Sequence, residues 1–349
     1  MLSRACRTDL TQTNLFYNSD INSDISDCER SSLSVRALWR LLFHSGGYLL
    51  RGATLLLIPV LLGACRSIER SHIQIGSIDR SYYVRLPDGY SPNHKYPLVI
   101  QLHGGGGNAE TAESMSKMTE LARKRGFVVV YPDGFGPRMM NALKTWNAGH
   151  CCGRAMRENS DDVAFISELI DFMIQNYSID SRRIYLCGMS NGAMMTYRAA
   201  QKLAPRLAGI GIVAGAMFGD ESVTHTPVPV MIIHGKKDDA VPFEGGRSEK
   251  DLVSENMEGT FASVEYAAGF WAQNNGCSGA RSKQRTGPAN AIEQWSYSCP
   301  ADYPVLVYAL DDGGHSWPGG EKGRRAGDDP VLYFNASEKL LDFFAAHRR

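Results

Sequence analysis

Cys187-Gly188-Met189-Ser190-Asn191-Gly192-Ala193 is the stretch of sequence that decides the fold. The apolar, β-prone residues 183–187 before it predict a buried strand, and residues 193–200 after it predict a helix. Gly-x-Ser-x-Gly at such a junction makes a tight turn, in which side chains at positions 188 and 192 would collide. The turn lifts the Ser190 hydroxyl clear of the sheet edge and puts the Asn191 N–H at a helix N-terminus. Ser190 is therefore the candidate nucleophile.

A serine hydroxyl is a weak nucleophile at neutral pH, so this interpretation needs a general base and an acid that orients it. Residues 230–233 predict a buried strand, and the loop after it holds Asp238 and Asp239. We predict Asp238 as the acid and keep Asp239 as the alternative. Residues 305–310 predict another strand, which leads into a Gly-rich loop with His315 at its tip. The order Ser190, Asp238, His315 is the one expected when a strand–turn–helix carries the nucleophile.

The strand predicted at residues 98–102 ends in His103-Gly104-Gly105-Gly106-Gly107. Glycine allows a main chain to approach a substrate closely, and such a segment supplies a second N–H donor to an oxyanion. We predict the N–H groups of Asn191 and Gly105 as the two donors, with Gly106 the next choice. No Gly-Lys-Ser/Thr follows, which disfavours a nucleotide phosphate loop. His103 is expected to support the loop rather than to take part in chemistry.

Predicted strands and helices alternate along the chain, and this pattern indicates a mostly parallel sheet with helices on both faces. Together with the Gly-x-Ser-x-Gly turn, it predicts the α/β-hydrolase fold. Further strands are expected at residues 82–86, 127–131 and 210–213. Helices are expected at residues 113–125, 264–274 and 336–346, with another one starting at Asp161-Asp162. No insertion is large enough for a lid domain, and only the loops 134–160 and 239–262 are placed to border the site. One catalytic domain at residues 66–349 is therefore predicted.

Several segments between residues 73 and 347 together resemble the bacterial esterases described as polyhydroxybutyrate depolymerases or feruloyl esterases, relatives of carbohydrate esterase family one. The block 314–319, Gly-His-Ser-Trp-Pro-Gly, is similar to the His-x-Trp-Pro-Gly block around that family's catalytic histidine. The family's His-Gly-x-x-Asp block places its acid at Asp238, although Lys236-Lys237 stand where smaller or neutral residues are usual. The other matching segments are residues 80–87, 103–107, 126–134, 146–149 with 151–153, 161–163 and 188–192.

The resemblance implies a serine esterase that forms an acyl-enzyme. Feruloyl or acetyl esters of plant polysaccharide are the first expectation for its substrate, and polyhydroxyalkanoate esters the second. An acyltransferase with the same triad is a further alternative, whereas a binding protein without chemistry would not need the triad. The expected partner is thus an ester of a polysaccharide, a polyester or a small aryl or alkyl alcohol. Trp317, beside the histidine, and Trp146, in the long loop, are predicted to contact this substrate.

Residues 1–65 are predicted to be a leader and not part of the fold. A short apolar run at residues 53–64 lies behind Arg51, is too short to span a membrane, and fits a signal-peptide core. It ends in Leu62-Gly63-Ala64-Cys65, which resembles a bacterial lipobox with Cys65 as the lipidated residue; an ordinary cleaved signal or an anchor is the alternative. The polar residues 1–50 indicate an over-extended start. We therefore expect an exported protein (outer-membrane lipoprotein, periplasmic or extracellular) whose only membrane contact is the lipid anchor.

The remaining cysteines fit an oxidising compartment. Cys277 and Cys299 flank a polar stretch and are a candidate disulfide, whereas Cys187 is expected to be a small buried apolar residue. Of the adjacent Cys151 and Cys152, at least one is expected to be free unless the two pair with each other. The sequence has no Cys/His spacing typical of a zinc site and no His-Glu-x-x-His motif. We therefore expect that the protein uses no metal and no organic cofactor. Lys+Arg and Asp+Glu are equal at 37 each, which disfavours a nucleic-acid partner.

Overall fold

This computed structural model describes residues 70–75, 78–137, 142–323 and 327–349. In that part of the chain, ten strands form one sheet. Six of them, β4, β3, β5, β6, β7 and β10, are parallel neighbours, while the pairs β1–β2, β2–β4, β10–β9 and β9–β8 are antiparallel. The strands are β1 Ser71–Ile75, β2 Ile78–Arg85, β3 Tyr96–Leu102, β4 Val128–Pro132, β5 Ile179–Met189, β6 Gly209–Val213, β7 Val230–Gly235, β8 Ser278–Thr286, β9 Ile292–Ser298 and β10 Val305–Leu310.

Eight α-helices connect and cover these strands in the described part of the chain. Several begin at side-chain caps: Asn108 accepts a hydrogen bond from the Thr111 N–H, Asp161 from Ala164, and Asn335 from Glu338. The helices are α1 Ala109–Ser116, α2 Met118–Lys124, α3 Gly153–Arg157, α4 Asp162–Asn176, α5 Asn191–Leu203, α6 Asp251–Ser254, α7 Val264–Asn274 and α8 Ala336–Ala346.

The sheet is buried on both faces. On one face α4, α5 and α7 pack against residues such as Ile100 and Leu186, and on the other α1, α2 and α8 pack against residues such as Val99 and Cys187. Alternating residues of β3 and β5 therefore enter two separate cores. Cys187 is buried with a free thiol, as predicted, and burial raises its pKa. This layered arrangement confirms the predicted α/β-hydrolase fold.

The structure corrects one local prediction and adds an element that the sequence analysis does not contain. The helix expected at residues 113–125 is two helices, because Lys117 between them adopts a left-handed conformation with φ 52°. The hairpin β8–β9 was not predicted, since β8 is mostly polar and lacks the apolar pattern of a buried strand. Of the residues that the structure describes, no α-helix in the loops 134–160 and 239–262 is longer than five residues.

The predicted leader 1–65, with Cys65, lies outside the described residues. In the part that is described, none of the helices is long and apolar enough to cross a membrane.

Candidate active site

Ser190 lies on the turn between β5 and α5 and has a positive φ, with φ 54° and ψ −124°. This backbone is unfavourable for a residue with a side chain, and such strain clusters at functional sites. Two main-chain hydrogen bonds hold it: the Ser190 N–H donates to the Val213 oxygen at 2.9 Å, and the Met194 N–H donates to the Ser190 oxygen at 2.9 Å. The turn is therefore fixed by the neighbouring strand β6 and by the first turn of its own helix.

The glycines of the turn are required by close backbone contacts. A Cβ on Gly188 would lie 2.5 Å from the carbonyl carbon and oxygen of Gly192. A Cβ on Gly192 would lie 2.7 Å from the Leu102 oxygen and closer still to the His103 oxygen. Both contacts are too short for any real Cβ, and backbone atoms cannot move aside as a flexible side chain would. As the sequence predicts, a side chain at either of these two positions would collide with the backbone.

The structure brings the three predicted triad residues together. His315 Nε2 lies 2.9 Å from Ser190 Oγ, and His315 Nδ1 lies 2.8 Å from Asp238 Oδ2. With Nδ1–H donating to the carboxylate, Nε2 is left to accept the Ser190 hydroxyl proton. The three residues follow β5, β7 and β10, whose carboxyl ends meet at one edge of the sheet.

Asp238 is a buried carboxylate with several donors. Its Oδ1 accepts hydrogen bonds from the N–H groups of Ala240 at 3.0 Å and Val241 at 2.8 Å. Burial by itself raises the pKa of Asp238, but the facing His315 and His234 rings outweigh it and the pKa is lowered. The carboxylate is therefore ionised at neutral pH and available to accept the His315 proton donor.

Asp239, the alternative acid, does not orient the histidine, because both ring nitrogens of His315 are bonded to Asp238 and Ser190. Its carboxylate forms an ion pair with Lys250 at 2.5 Å. The lysines before Asp238 are also paired outside the triad, Lys236 with Glu293 and Asp311, and Lys237 with Asp312. Their positive charges are thus matched by carboxylates beside them, which limits their influence on the triad.

Asp328 is a site residue that the sequence analysis missed. Its Oδ2 accepts the His315 main-chain N–H at 2.6 Å, and a Cβ on Gly314 would collide with the same carboxylate. Asp328 therefore holds the loop that carries the histidine, although it lies 13 positions further along the chain. Its own surroundings, Gly327-Asp328-Asp329-Pro330, carry no motif that could have identified it.

The pKa of His315 is raised in this environment, and this has a measurable consequence. Burial lowers it, but the negative charges of Asp238, Asp328 and Asp239 more than compensate. The imidazole acts as a base only when neutral, so we expect kcat/KM to fall as the pH drops through a pKa above that of a free imidazole. Asp328→Asn removes one of these charges and should move this acid limb to lower pH. A pH–rate profile of both proteins measures the shift.

The matched control for that profile is Asp329→Asn. The Asp329 carboxylate is the next acid along the chain, is largely exposed, and pairs with Lys322 at 3.0 Å. We expect its acid limb to coincide with that of the wild type. An Asp328→Asn limb that also stays in place would contradict the electrostatic role given to Asp328.

The two predicted oxyanion segments lie side by side. A Cβ on Gly105 would lie 3.5 Å from Asn191 Cβ, so the glycine loop passes directly over the start of α5. The N–H of Asn191 is in the first turn of that helix, where main-chain donors have no intrahelical acceptor. Gly106, the second choice, is corrected: its N–H donates to the Lys144 oxygen at 2.8 Å and is already used inside the loop. Asn191 and Gly105 remain the candidate donors.

His103 supports the glycine loop, as expected. Its Nε2 accepts the Gly134 N–H at 2.9 Å, so Nδ1 carries the proton and donates to the Gly104 oxygen at 2.8 Å. Burial lowers the pKa of His103 to about 4. The ring therefore stays neutral at ordinary pH and links the loop to the segment after β4.

The prediction that Trp146 and Trp317 contact substrate is wrong. Both side chains are 0% exposed. The Trp317 indole N–H donates to Ser337 Oγ at 3.0 Å inside the core that contains α8, and the Trp146 indole N–H donates to the His103 oxygen at 3.0 Å. Each indole is turned inward because its polar N–H finds a partner in the protein interior.

The structure also pairs the four remaining cysteines. Cys277 is joined to Cys299, the pair that the sequence singled out, and Cys151 is joined to its neighbour Cys152. Among the described residues, no cluster of three or more His, Cys, Asp or Glu side chains is arranged to hold a metal ion.

Comparison with known proteins shows which families this chain is similar to. Residues 80–247 match the family model described as Esterase PHB depolymerase. Feruloyl esterase B of Piromyces equi is 29% identical over 249 residues, 70% of this chain and 44% of that protein. Probable feruloyl esterase C of Aspergillus clavatus is 28% identical over 262 residues, 74% of this chain and 84% of the relative. The chain thus spans less than half of the Piromyces protein but most of the Aspergillus one.

Among solved structures, an acetyl xylan esterase from Aspergillus awamori has the same fold. The two superpose with a TM-score of 0.54 at 14% sequence identity, covering 79% of this chain and 99% of that one. At this level of identity the likeness concerns the fold alone. Residues 80–247 thus match the Esterase PHB depolymerase family model, and over about 70% of its length the chain is similar to feruloyl esterases.

Proposed function

We propose that this protein hydrolyses carboxylic esters through an acyl-enzyme on Ser190. One observation carries the proposal: an unbroken hydrogen-bond chain runs from Ser190 Oγ through the His315 ring to the buried Asp238 carboxylate. A serine on a strained turn that faces a base with an oriented ring is the arrangement that makes a hydroxyl nucleophilic.

In the first half of the reaction, Ser190 Oγ attacks the ester carbonyl carbon while His315 Nε2 accepts the hydroxyl proton. Asp238 keeps the ring in the required tautomer and stabilises the imidazolium. The N–H groups of Asn191 and Gly105 donate to the oxyanion, and each such donor is typically worth about 3 kcal/mol of the barrier. His315 then gives its proton to the alcohol oxygen as the ester C–O bond breaks, which leaves the acyl group on Ser190.

In the second half a water molecule attacks the acyl carbon, and His315 takes a proton from it. The oxyanion forms again at the same donors, the bond to Ser190 Oγ breaks, and His315 returns its proton to the serine. The acid is released and the enzyme is regenerated, so the balance needs no cofactor.

Feruloyl or acetyl esters of plant polysaccharide are the substrates that we rank first. The relatives in Piromyces and Aspergillus are named feruloyl esterases, which favours this class. Esters of hydroxyalkanoates are ranked second, because the matching family model is described as a PHB depolymerase.

The substrate ranking predicts a clear order of rates. The loops beside the site hold only the short helices α3 and α6 among their described residues, so they provide no amphipathic lid for an oil–water interface. We expect methyl ferulate and acetylated xylan to be hydrolysed faster than hydroxybutyrate oligomers, and long-chain triglyceride most slowly. Rates of the purified enzyme on these substrates, with nitrophenyl acetate as a reference, measure the order. Triglyceride hydrolysis that rises sharply at the lipid interface would contradict it.

We also propose that the protein acts outside the cytoplasm. The Cys277–Cys299 pair supports this location, because disulfides persist in oxidising compartments. Lipidation at Cys65 is part of the same proposal, and it is tested by fractionating cells that produce the wild type or Cys65→Ser. The wild type should be found with membranes and the variant in the soluble periplasmic or extracellular fraction. An unchanged distribution would contradict the lipid anchor.

A further inference from the structure

Trp146 is hydrogen-bonded to both halves of the candidate oxyanion hole. Its main-chain N–H donates to Asn191 Oδ1 at 2.7 Å, and its main-chain oxygen accepts from Asn191 Nδ2 at 2.9 Å. Its indole Nε1–H donates to the His103 oxygen at 3.0 Å. One buried residue therefore holds the start of α5 with its backbone and the start of the glycine loop with its side chain.

We propose that Trp146 is a positioning residue that sets the spacing between the two oxyanion donors, Asn191 N–H and Gly105 N–H. The inference rests on the proposed function, because these donors matter only when an oxyanion forms between them. Gly105 is two residues after His103, whose carbonyl oxygen accepts the indole proton. The other donor is the main-chain N–H of Asn191, the residue whose side chain is bonded to the Trp146 backbone.

The surroundings of Trp146 make it a rigid connection. The centroid of its ring lies 5.0 Å from that of the His103 ring and 6.2 Å from that of the Phe165 ring in α4. The next residue, Asn147, donates its main-chain N–H to Asp162 Oδ2 at 2.7 Å, and Asp162 is paired with the buried Arg80 at 2.6 Å. Trp146 and its neighbour Asn147 are thus anchored to α4, so Trp146 can hold Asn191 and His103 in turn.

Donor spacing affects the transition state more than the bound substrate. Oxyanion donors act where negative charge develops, and a misplacement of about 1 Å can cost about 100-fold in rate. A loosened connection between the donors should therefore lower kcat and leave KM nearly unchanged.

The test compares Trp146→Phe with Trp271→Phe. The first variant removes the indole donor to His103 but keeps an aromatic ring and the main-chain bonds to Asn191. Trp271 is equally buried, and its Nε1 has no hydrogen-bond partner among the described residues, so its variant is a matched control for ring size alone. Active-site titration with a nitrophenyl ester normalises each kcat to the fraction of competent enzyme.

The decisive measurement is the ratio of kcat/KM for an ester to that for its thionoester, in which sulfur replaces the carbonyl oxygen. Sulfur is a poorer hydrogen-bond acceptor, so a well-spaced oxyanion hole favours the oxygen ester, and a merely structural change leaves the ratio alone. For Trp146→Phe we expect a lower ratio and a kcat reduced about 10- to 100-fold. Trp271→Phe should retain both values.

Asn191→Ala breaks the same connection from the other side and should also lower the ratio, which keeps the test open if Trp146→Phe does not fold. Wild-type ratios in Trp146→Phe or in Asn191→Ala would contradict the positioning role while leaving ester hydrolysis in place. A wild-type protein that hydrolyses no ester would instead contradict the proposed function, and this inference with it.

Discussion

Replacing Ser190 by alanine is expected to abolish ester hydrolysis while leaving the fold intact. Members of a triad act as a unit, so kcat should fall by about 10⁴ to 10⁶. The fold should survive because the hydrogen bonds that hold the turn, to Val213 and from Met194, are made by main-chain atoms that alanine keeps. Steady-state rates on nitrophenyl acetate and a thermal unfolding curve measure the two effects separately.

Ser316→Ala is the matched control for this loss. Ser316 follows the candidate base, is buried, and has a hydroxyl without a hydrogen-bond partner among the described residues. Removing that hydroxyl should leave turnover close to wild type. Near-normal turnover in Ser190→Ala, by contrast, would contradict the serine-esterase mechanism.

The elements that sequence predicted well are those with strong local signals. Residues 230–233 and 305–310 are continuous apolar runs, and the structure has strands there as β7 and β10. Each run is followed by a short loop that holds few residues able to act as the acid or the base. Asp238 and His315 could therefore be predicted from the sequence. The glycines at positions 188 and 192 could also be assigned, because a tight turn excludes side chains for reasons that do not depend on the rest of the fold.

The residues that sequence missed act across long separations. Asp328 reaches the main chain of His315 from a loop without a motif, and its role depends on where that loop returns. Trp146 shows the opposite error, since its motif was recognised but the direction of its side chain was not. Proximity along the chain to a catalytic segment does not determine which way an aromatic ring points, because its indole N–H takes the available buried acceptor.

Different interactions stabilise the Ser190 side and the His315 side of the site. On the Ser190 side, buried hydrogen bonds join Trp146 to Asn191, a candidate oxyanion donor, and to His103 at the start of the glycine loop. On the His315 side, the base depends on carboxylates, Asp238 at its ring and Asp328 at its main chain. Substitutions on the first side should therefore change how well the oxyanion is stabilised, whereas substitutions on the second should change the tautomer of His315, at Asp238, or its pKa, at Asp328.

Asp238→Asn is expected to lower kcat by about 10⁴, because an amide in place of the carboxylate favours the wrong imidazole tautomer. In the wild type Asp238 Oδ2 accepts the proton of His315 Nδ1 at 2.8 Å, which leaves Nε2 free to take the serine proton. The amide of asparagine can instead donate to Nδ1, and the ring then carries its proton on Nε2, where it cannot act as a base.

Asp239→Asn is the control for Asp238→Asn, since it makes the same chemical change one position along the chain. The Asp239 carboxylate pairs with Lys250 and does not contact the His315 ring, whose Nδ1 is bonded to Asp238, so its loss should change turnover far less than the loss of Asp238. Both variants are compared by kcat on nitrophenyl acetate near neutral pH. A greater loss in Asp239→Asn than in Asp238→Asn would reverse the assignment of the acid. Equal and small losses would show that the buried carboxylate does not control the tautomer of His315.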